Sequence, residues 1–237
     1  MASQFGFLSK LEFLQTWASM LISNINPAIV HNIEKYHILK KVHYLSAMED
    51  ISGDYLEFGV FTGSSFCHSM RCCKKLSSLN SNVLNTNFYG FDSFSGFGEL
   101  KEEDKHPFYT DENFSTSFNV VNKRVQKVAS KLTYKLIPGF FCDSLKTPAI
   151  KYGIKKSRVI FVDSDTYSSA NEALTFCSPT IQEGTFIILD DFYSYKGHEK
   201  KGVSRAFLEF IELTNIKVRK VFTYGMGGVV YVVSEKL

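Results

Sequence analysis

Apolar residues along this chain fall into short unbroken runs, separated by stretches in which they recur every three or four residues. The runs are rich in β-branched and aromatic side chains and predict buried strands. The intervening periodicity predicts helices, among them helices around 117–130, 143–152 and 168–177, the last beginning at a serine cap. The seven predicted strands are DYLEFGV (54–60), NFYGFD (87–92), LTYKLIP (132–138), VIFVD (159–163), TFIILD (185–190), KVRKVFTYG (217–225) and GVVYVVS (228–234).

The order of these elements predicts an α/β fold. Strands that alternate with helices indicate a Rossmann-like, doubly wound, mostly parallel sheet of seven strands, and the last two runs form an antiparallel C-terminal hairpin across a short MGG turn. Residues 1–50 are predicted to be a helical extension and residues 51–237 the main domain. The spacing of Leu14, Trp17 and Leu21 predicts an amphipathic helix that packs on this domain or on a second subunit. Residues 93–118 are a long polar and aromatic loop, typical of a lid.

Composition and charge exclude several classes of protein. A formal charge of +3 over 237 residues is too small for a nucleic-acid-binding protein. The longest apolar runs fall short of the roughly 18 residues that a membrane span needs, so no span is predicted. Five cysteines without CxxC spacing predict reduced thiols and a cytoplasmic protein.

Three aspartates at the ends of two predicted strands carry the strongest chemical signal. Asp163 ends one run, and Asp190 and Asp191 end the next. Neighbouring strands lie about 4.8 Å apart, so these carboxylates can converge at one edge of the sheet. They would repel one another without a cation between them, and Mg²⁺ prefers such oxygen ligands. This interpretation requires that no lysine or arginine head group fills the space between them.

Other strand ends offer candidate contacts to a second ligand. The turn at residues 57–65 is glycine-rich and leads into a helix, whose N–H groups can bind an anion. Asp92, at the end of the next strand, can accept both hydroxyls of a ribose. Gly139 permits a sharp turn after the third strand, and Phe140 or Phe141 there can lie against an adenine ring. The turn has GxxxG spacing instead of GxGxxG, which disfavours a nicotinamide dehydrogenase.

Several segments together resemble the macrocin O-methyltransferase (TylF-type) family of class I S-adenosylmethionine-dependent methyltransferases. The resemblance covers the chain from about residue 35 to its C-terminus. Its most specific part is the D-x-D-x-Y…G…DD block within 162–192. The matching segments are DYLEFGVFTGSSF (54–66), FYGFDSFSGF (88–97), GFF.DSL (139–145), VDSDTYSSANEALTFCSPTIQEGTFIILDDF (162–192) and GVSRAFLEF (202–210).

The resemblance implies a Mg²⁺-dependent O-methyltransferase that uses S-adenosylmethionine and acts on a hydroxyl of a sugar or glycosylated small molecule. By this resemblance Asp163, Asp190 and Asp191 bind the metal, and Asp165 is the general base beside Asp163. It also implies a homodimer or larger assembly formed through the N-terminal helices. The residues assigned to the cofactor are Glu57, Gly59, Gly63, Ser64, Ser65, Asp92, Ser93, Gly139 and Phe141.

Alternatives remain open at this point. A phenolic or catechol-like acceptor also offers adjacent oxygens to a metal ion. A methyltransferase-like domain that binds without catalysis is a different class of protein, and retention of all the candidate acids argues against it. The general base could also be His106 or His198, both of which lie in predicted loops.

Overall fold

The structure is a computed structural model that describes residues 10–109 and 114–236. Its strands are β1 (Asp54–Phe58), β2 (Phe88–Asp92), β3 (Tyr134–Pro138), β4 (Ser157–Val162), β5 (Phe186–Leu189), β6 (Ile216–Tyr224) and β7 (Gly228–Lys236). They form one seven-stranded sheet with the order β3-β2-β1-β4-β5-β7-β6. Strands β1 to β5 pair in parallel, whereas β7 is antiparallel to both β5 and β6. The predicted sheet and its C-terminal hairpin are confirmed.

The helices occupy the connections between strands and the N-terminal segment. They are α1 (Glu12–Ser23), α2 (Pro27–Met48), α3 (Ser64–Leu76), α4 (Phe118–Ala129), α5 (Phe141–Ser144), α6 (Ala149–Tyr152), α7 (Tyr167–Cys177) and α8 (Gly202–Thr214). No described helix combines the length and apolar character that crossing a bilayer requires.

Two local predictions about helices were wrong. The single helix expected around 143–152 is divided into α5 and α6, because Pro148 lies between them and cannot continue a helix. Helix α7 begins one residue before the expected serine cap. Its cap is Thr166, whose hydroxyl oxygen accepts a hydrogen bond from the backbone N–H of Ser169 at 3.3 Å.

The two faces of the sheet each carry a buried apolar cluster. Successive side chains of a strand point to opposite faces, and β4 shows this clearly. Ile160 and Val162 pack with helices α7 and α8 on one face, while Val159 and Phe161 pack with α2, α3 and α4 on the other. A sheet covered on both faces leaves only its edges and strand ends open to a ligand.

The N-terminal helix α1 has no such cover. The structure shows no buried residue in α1, and Trp17 is 66% exposed. The second half of α2, in contrast, packs through Ile38, Leu39 and Val42 against the sheet. Of the two expected alternatives, the described chain does not show packing of α1 on the domain. Its packing on a second subunit stays a prediction.

Candidate active site

A cavity of about 530 Å³ opens at the carboxyl ends of the central strands. The chain runs from β1 outwards to β2 and β3 and then returns to β4 on the other side of β1, so the strand order reverses between β1 and β4. Ligands of open α/β sheets bind at this switch point. The cavity is lined by Gly59 after β1, Asp92 at the end of β2, Asp163 after β4, Asp190 after β5 and Lys35 from α2.

The three aspartates singled out in the sequence meet in this cavity. Strands β4 and β5 pair in parallel with Val162 opposite Leu189, so Asp163 and Asp190 follow neighbouring strands at the same level. One oxygen each from Asp163, Asp190 and Asp191 lies within 4.8 Å of the other two. The convergence follows directly from parallel pairing.

The space between these carboxylates is not free, which corrects the expectation from the sequence. The ammonium Nζ of Lys35 lies 2.9 Å from Oδ2 of Asp163 and 2.7 Å from Oδ2 of Asp190. Burial alone would lower the pKa of Lys35, but the charges of the two carboxylates raise it above its ordinary value. Lys35 is therefore a permanent cation within the cluster.

Asp190 is the most fully bonded of the acids. Its Oδ1 accepts a hydrogen bond from the hydroxyl of Tyr224 at 2.6 Å, and its Oδ2 lies 3.1 Å from Nε2 of His31. The other ring nitrogen of His31 accepts the backbone N–H of Met226 at 3.2 Å, so Nε2 carries the proton and donates to Asp190. Burial would raise the pKa of Asp190, but Lys35 and His31 hold it below its ordinary value. Asp190 is an ionised carboxylate.

In the other acids such compensation is weaker than the effects that oppose it, although Lys35 also contacts Asp163. Burial and the charges of neighbouring carboxylates raise the pKa of Asp163, Asp165 and Asp191. The neighbouring carboxylate of Asp191 contributes to the raised pKa of Asp165. Asp165 also has a left-handed backbone, with φ of 63°, a conformation that is sparsely populated for residues other than glycine.

The donor set of the cluster fits a hard divalent cation. Mg²⁺ binds oxygen ligands at about 2.1 Å, so ligand oxygens on opposite sides of the ion are about 4.2 Å apart. One oxygen from each of the three carboxylates lies within 4.8 Å of the others, an upper limit close to that span. Lys35 supplies one positive charge against the four carboxyl groups of Asp163, Asp165, Asp190 and Asp191. A divalent ion would balance most of the remainder.

The other half of the cavity is built on β1 and β2. Gly59 has φ of 93°, and a Cβ at this position would lie 1.8 Å from the backbone carbonyl oxygen of Asp163. Only glycine lets β1 and β4 end this close together. The carboxylate of Asp92 accepts the backbone N–H groups of Phe61 at 2.7 Å and Phe94 at 2.6 Å. Asp92 thus holds two turns in place.

The residues predicted to bind a cofactor fall into two groups. Those that line the cavity are Gly59, Asp92, Ser93 and Phe141. Those that lie outside its lining are Glu57, Gly63, Ser64, Ser65 and Gly139.

Glu57 shows what the second group does in the structure. Its carboxyl oxygens accept hydrogen bonds from the hydroxyls of Ser65, at 2.6 Å, and Tyr55. Burial raises the pKa of Glu57 to about 7, although both hydrogen bonds oppose this shift. Glu57 thus links β1 to the start of α3 and stabilises the turn between them.

Aromatic residues of the loop at 93–118 form one wall of the cavity. The action of this loop as a lid stays a prediction. Tyr109 also touches the acid cluster, because its hydroxyl lies 2.9 Å from Oγ of Ser194 and 3.3 Å from Oδ1 of Asp191. Residues 110–113 lie outside the described chain. The aromatic residues lining the cavity are Phe61, Phe97, Phe108, Tyr109, Phe114, Phe140, Phe141 and Tyr193.

Neither alternative base from the sequence lines the cavity. His106 stacks on Tyr109 with ring centroids 4.4 Å apart. Nδ1 of His198 accepts a backbone hydrogen bond from Lys200 within its own loop at 3.1 Å. Asp165 does line the cavity, so it is the better placed of the three candidates.

The residues that sequence reasoning missed are Lys35, His31 and Tyr224. A signal for Lys35 was present, because Ile38, Leu39 and Val42 follow it at steps of three, four and seven residues. That spacing places a lysine on the buried face of a helix, and a buried lysine needs an acidic partner.

Comparison with known proteins supports the family resemblance. Residues 32–222 match the model of the family described as macrocin-O-methyltransferase (TylF). A curated relative, mycinamicin III 3''-O-methyltransferase of Micromonospora griseorubida, is 25% identical over 179 residues. That match spans 70% of this chain and 66% of the relative, just under two thirds of its length.

Solved structures share the fold. The calicheamicin methyltransferase CalS11 superimposes with a TM-score of 0.68 at 15% identity, covering 91% of this chain and 85% of that protein. The O-methyltransferase NovP gives a TM-score of 0.66 at 19% identity, covering 84% of this chain and 79% of NovP. At these identities the likeness shows a common fold.

Proposed function

The chain belongs to the macrocin O-methyltransferase (TylF) family, and from that premise we propose that it transfers the methyl group of S-adenosylmethionine to a hydroxyl of a sugar or glycosylated small molecule. The observation that carries the proposal is a single cavity with two chemically different ends. One end presents Asp92, at the end of β2, and the other presents Asp163, Asp190 and Asp191, after β4 and β5. Gly59, after β1, lies between them. A donor and an acceptor bound at these two ends would meet at the switch point of the sheet.

The donor end suits a nucleoside. We assign the ribose hydroxyls to Asp92 and the adenine ring to Phe140 or Phe141, all of which line the cavity. Gly59 lines the cavity between these contacts and the acids, and its missing side chain lets the backbones after β1 and β4 approach each other there. Ser93 lines the same end. Glu57, Gly63, Ser64, Ser65 and Gly139 are assigned a supporting part, in which they shape the turns that carry these contacts.

The acceptor end suits a hydroxyl that has to be activated. The condition that no lysine fills the space between the acids is not met, so the ion would enter a cluster in which Lys35 already contacts Asp163 and Asp190. We assign Asp163, Asp190 and Asp191 as the residues that would hold Mg²⁺ there. When bound, this ion lowers the pKa of a hydroxyl that it contacts. Asp165 lies within the same cluster and is assigned as the group that accepts the hydroxyl proton. The side chains of the cavity hold the acceptor oxygen in line with the methyl group at about 3 Å, the geometry that methyl transfer needs.

The aromatic wall of the cavity is suited to contact the part of the acceptor beyond its reacting hydroxyl. Phe97, Phe108 and Phe114 offer apolar ring faces beside the acids. Such a surface can cover the apolar faces of a sugar ring or an attached aglycone, and it excludes water from the acceptor hydroxyl.

The test is a methyl-transfer assay with labelled S-adenosylmethionine and two panels of acceptors, glycosides with adjacent hydroxyls and simple catechols. We expect transfer to a glycoside that requires Mg²⁺ and stops on addition of a chelator. Asp191→Asn should abolish this activity while S-adenosylhomocysteine still binds, as measured by calorimetry. Glu235→Gln removes an exposed acid on β7 that does not line the cavity, and it serves as the control. Equal turnover with and without chelator would reject the metal, and transfer to catechols alone would reject the sugar acceptor.

A further inference from the structure

Lys35 is a charged residue that the proposed reaction does not use, yet it lies inside the proposed metal site. It is only 8% exposed, and its ammonium bridges Asp163 and Asp190 at 2.9 and 2.7 Å. Across residues 10–109 and 114–236, the salt bridges to these acids come from Lys35 and His31. Lys35 is the ammonium cation of the cluster, and His31 contacts Asp190 at 3.1 Å.

The hydrogen-bond donors around Asp190 limit how a metal ion can bind its carboxylate. Its Oδ1 already accepts from Tyr224, and its Oδ2 is in contact with both His31 and Lys35. Two carboxylate oxygens offer about four lone-pair sites, and three of them face these donors. A metal ion that binds Asp190 must take the remaining site or displace one donor, and Lys35 is the one shared with Asp163.

The positive charge of Lys35 also opposes binding of a metal ion. An ammonium in contact with two ligand carboxylates lies within about 5 Å of any ion that they hold, and charges at this distance interact strongly inside a protein. The ammonium repels a divalent cation and neutralises part of the negative charge that attracts it. Removing this charge should therefore strengthen cation binding, provided that the carboxylates keep their positions.

We propose that Lys35 is a built-in competitor of the metal ion, which keeps the cluster paired in the absence of metal and weakens its affinity for divalent cations. This inference rests on the proposed metal site and adds a residue that sets how tightly the site binds. In the free protein Lys35 holds Asp163 and Asp190 together. A divalent ion that enters the cluster would hold these carboxylates in place of Lys35, and the ammonium would compete with the ion for them.

The test measures binding of Mn²⁺ to the full chain, by electron paramagnetic resonance or calorimetry, without donor or acceptor. Lys35→Met removes the ammonium. Lys35→Gln removes the charge but keeps an N–H donor, which helps the fold to tolerate the change. Lys40→Met is the matched control, because Lys40 is exposed on the same helix about 7.5 Å further along its axis.

We expect Lys35→Met and Lys35→Gln to bind Mn²⁺ at least about tenfold more tightly than the native chain, and Lys40→Met to match the native chain. The rise in melting temperature caused by Mn²⁺ should likewise be larger in both Lys35 variants. Equal or weaker binding by the Lys35 variants, when the native chain does bind Mn²⁺, would overturn this inference and leave the proposed function standing. An absence of binding in all the proteins would overturn both.

Discussion

The buried glutamate behind the cofactor turn makes a quantitative prediction about stability and pH. Glu57 is completely buried, and its two partners are hydroxyl donors, Ser65 and Tyr55. Burial raises its pKa from the ordinary value of 4.5 to about 7. The folded protein therefore binds a proton at Glu57 more readily than the unfolded chain does.

The sign and size of the effect of Glu57 on the free energy of unfolding follow from proton linkage. Because the folded-state pKa is the higher one, the stabilising effect is complete below pH 4.5 and is lost as the pH rises through about 7. One pKa unit corresponds to about 1.4 kcal/mol, so Glu57 should lower the free energy of unfolding by about 3 kcal/mol across this window. Above pH 7 the carboxylate is ionised inside the core and the penalty is constant.

The assay is urea denaturation at several pH values between 5 and 8. We expect Glu57→Gln to flatten the decline in stability that the native chain shows over this range, because glutamine does not titrate. Glu183→Gln changes an exposed glutamate and should keep the native pH dependence. An equally steep decline in Glu57→Gln and in the native chain would refute the assignment of the buried titration to Glu57.

Two further substitutions test the geometry of the site. Gly59→Ala should destabilise the fold by at least about 2 kcal/mol in urea denaturation, because its Cβ would collide with the carbonyl oxygen of Asp163. Gly197→Ala is its control, with a similar positive φ and no atom within 4 Å of the added Cβ, and equal losses in the two variants would contradict the collision. Tyr224→Phe should cost about 1–3 kcal/mol of unfolding free energy, because it takes a donor from the buried carboxylate of Asp190; an unchanged midpoint would contradict this.

The sheet and the acid cluster could be predicted because both depend on local sequence. A short run such as FIIL has few folded alternatives, and its aspartates follow at the strand end wherever the strand is placed. Parallel pairing of β4 and β5 then brings Asp163 and Asp190 together without further information. The turn at Gly59 was recognisable for the same reason.

Lys35 and His31 could not be placed in this way. They come from a helix more than 120 residues away in the chain from the acids they contact. Their position depends on how α2 packs across the sheet, which periodicity alone does not fix. The buried face of α2 gave a signal for Lys35, but no local pattern identified Asp163 and Asp190 as its partners.

The exposure of α1 shows a different limit of prediction from the sequence. The spacing of Leu14, Trp17 and Leu21 predicted a helix with an apolar face, and the helix is there. The spacing of apolar residues predicts which face of a helix is to be buried, but it does not identify the surface that packs against this face. In the described chain these side chains remain exposed.

The most direct test of the proposed metal site is anomalous diffraction from crystals grown with Mn²⁺ and S-adenosylhomocysteine. The account predicts an anomalous peak about 2 Å from oxygens of Asp163, Asp190 and Asp191, with the sulfur of the nucleoside beside it in the same cavity. A cluster without a peak at saturating Mn²⁺, with Lys35 still bridging its two carboxylates, would contradict it.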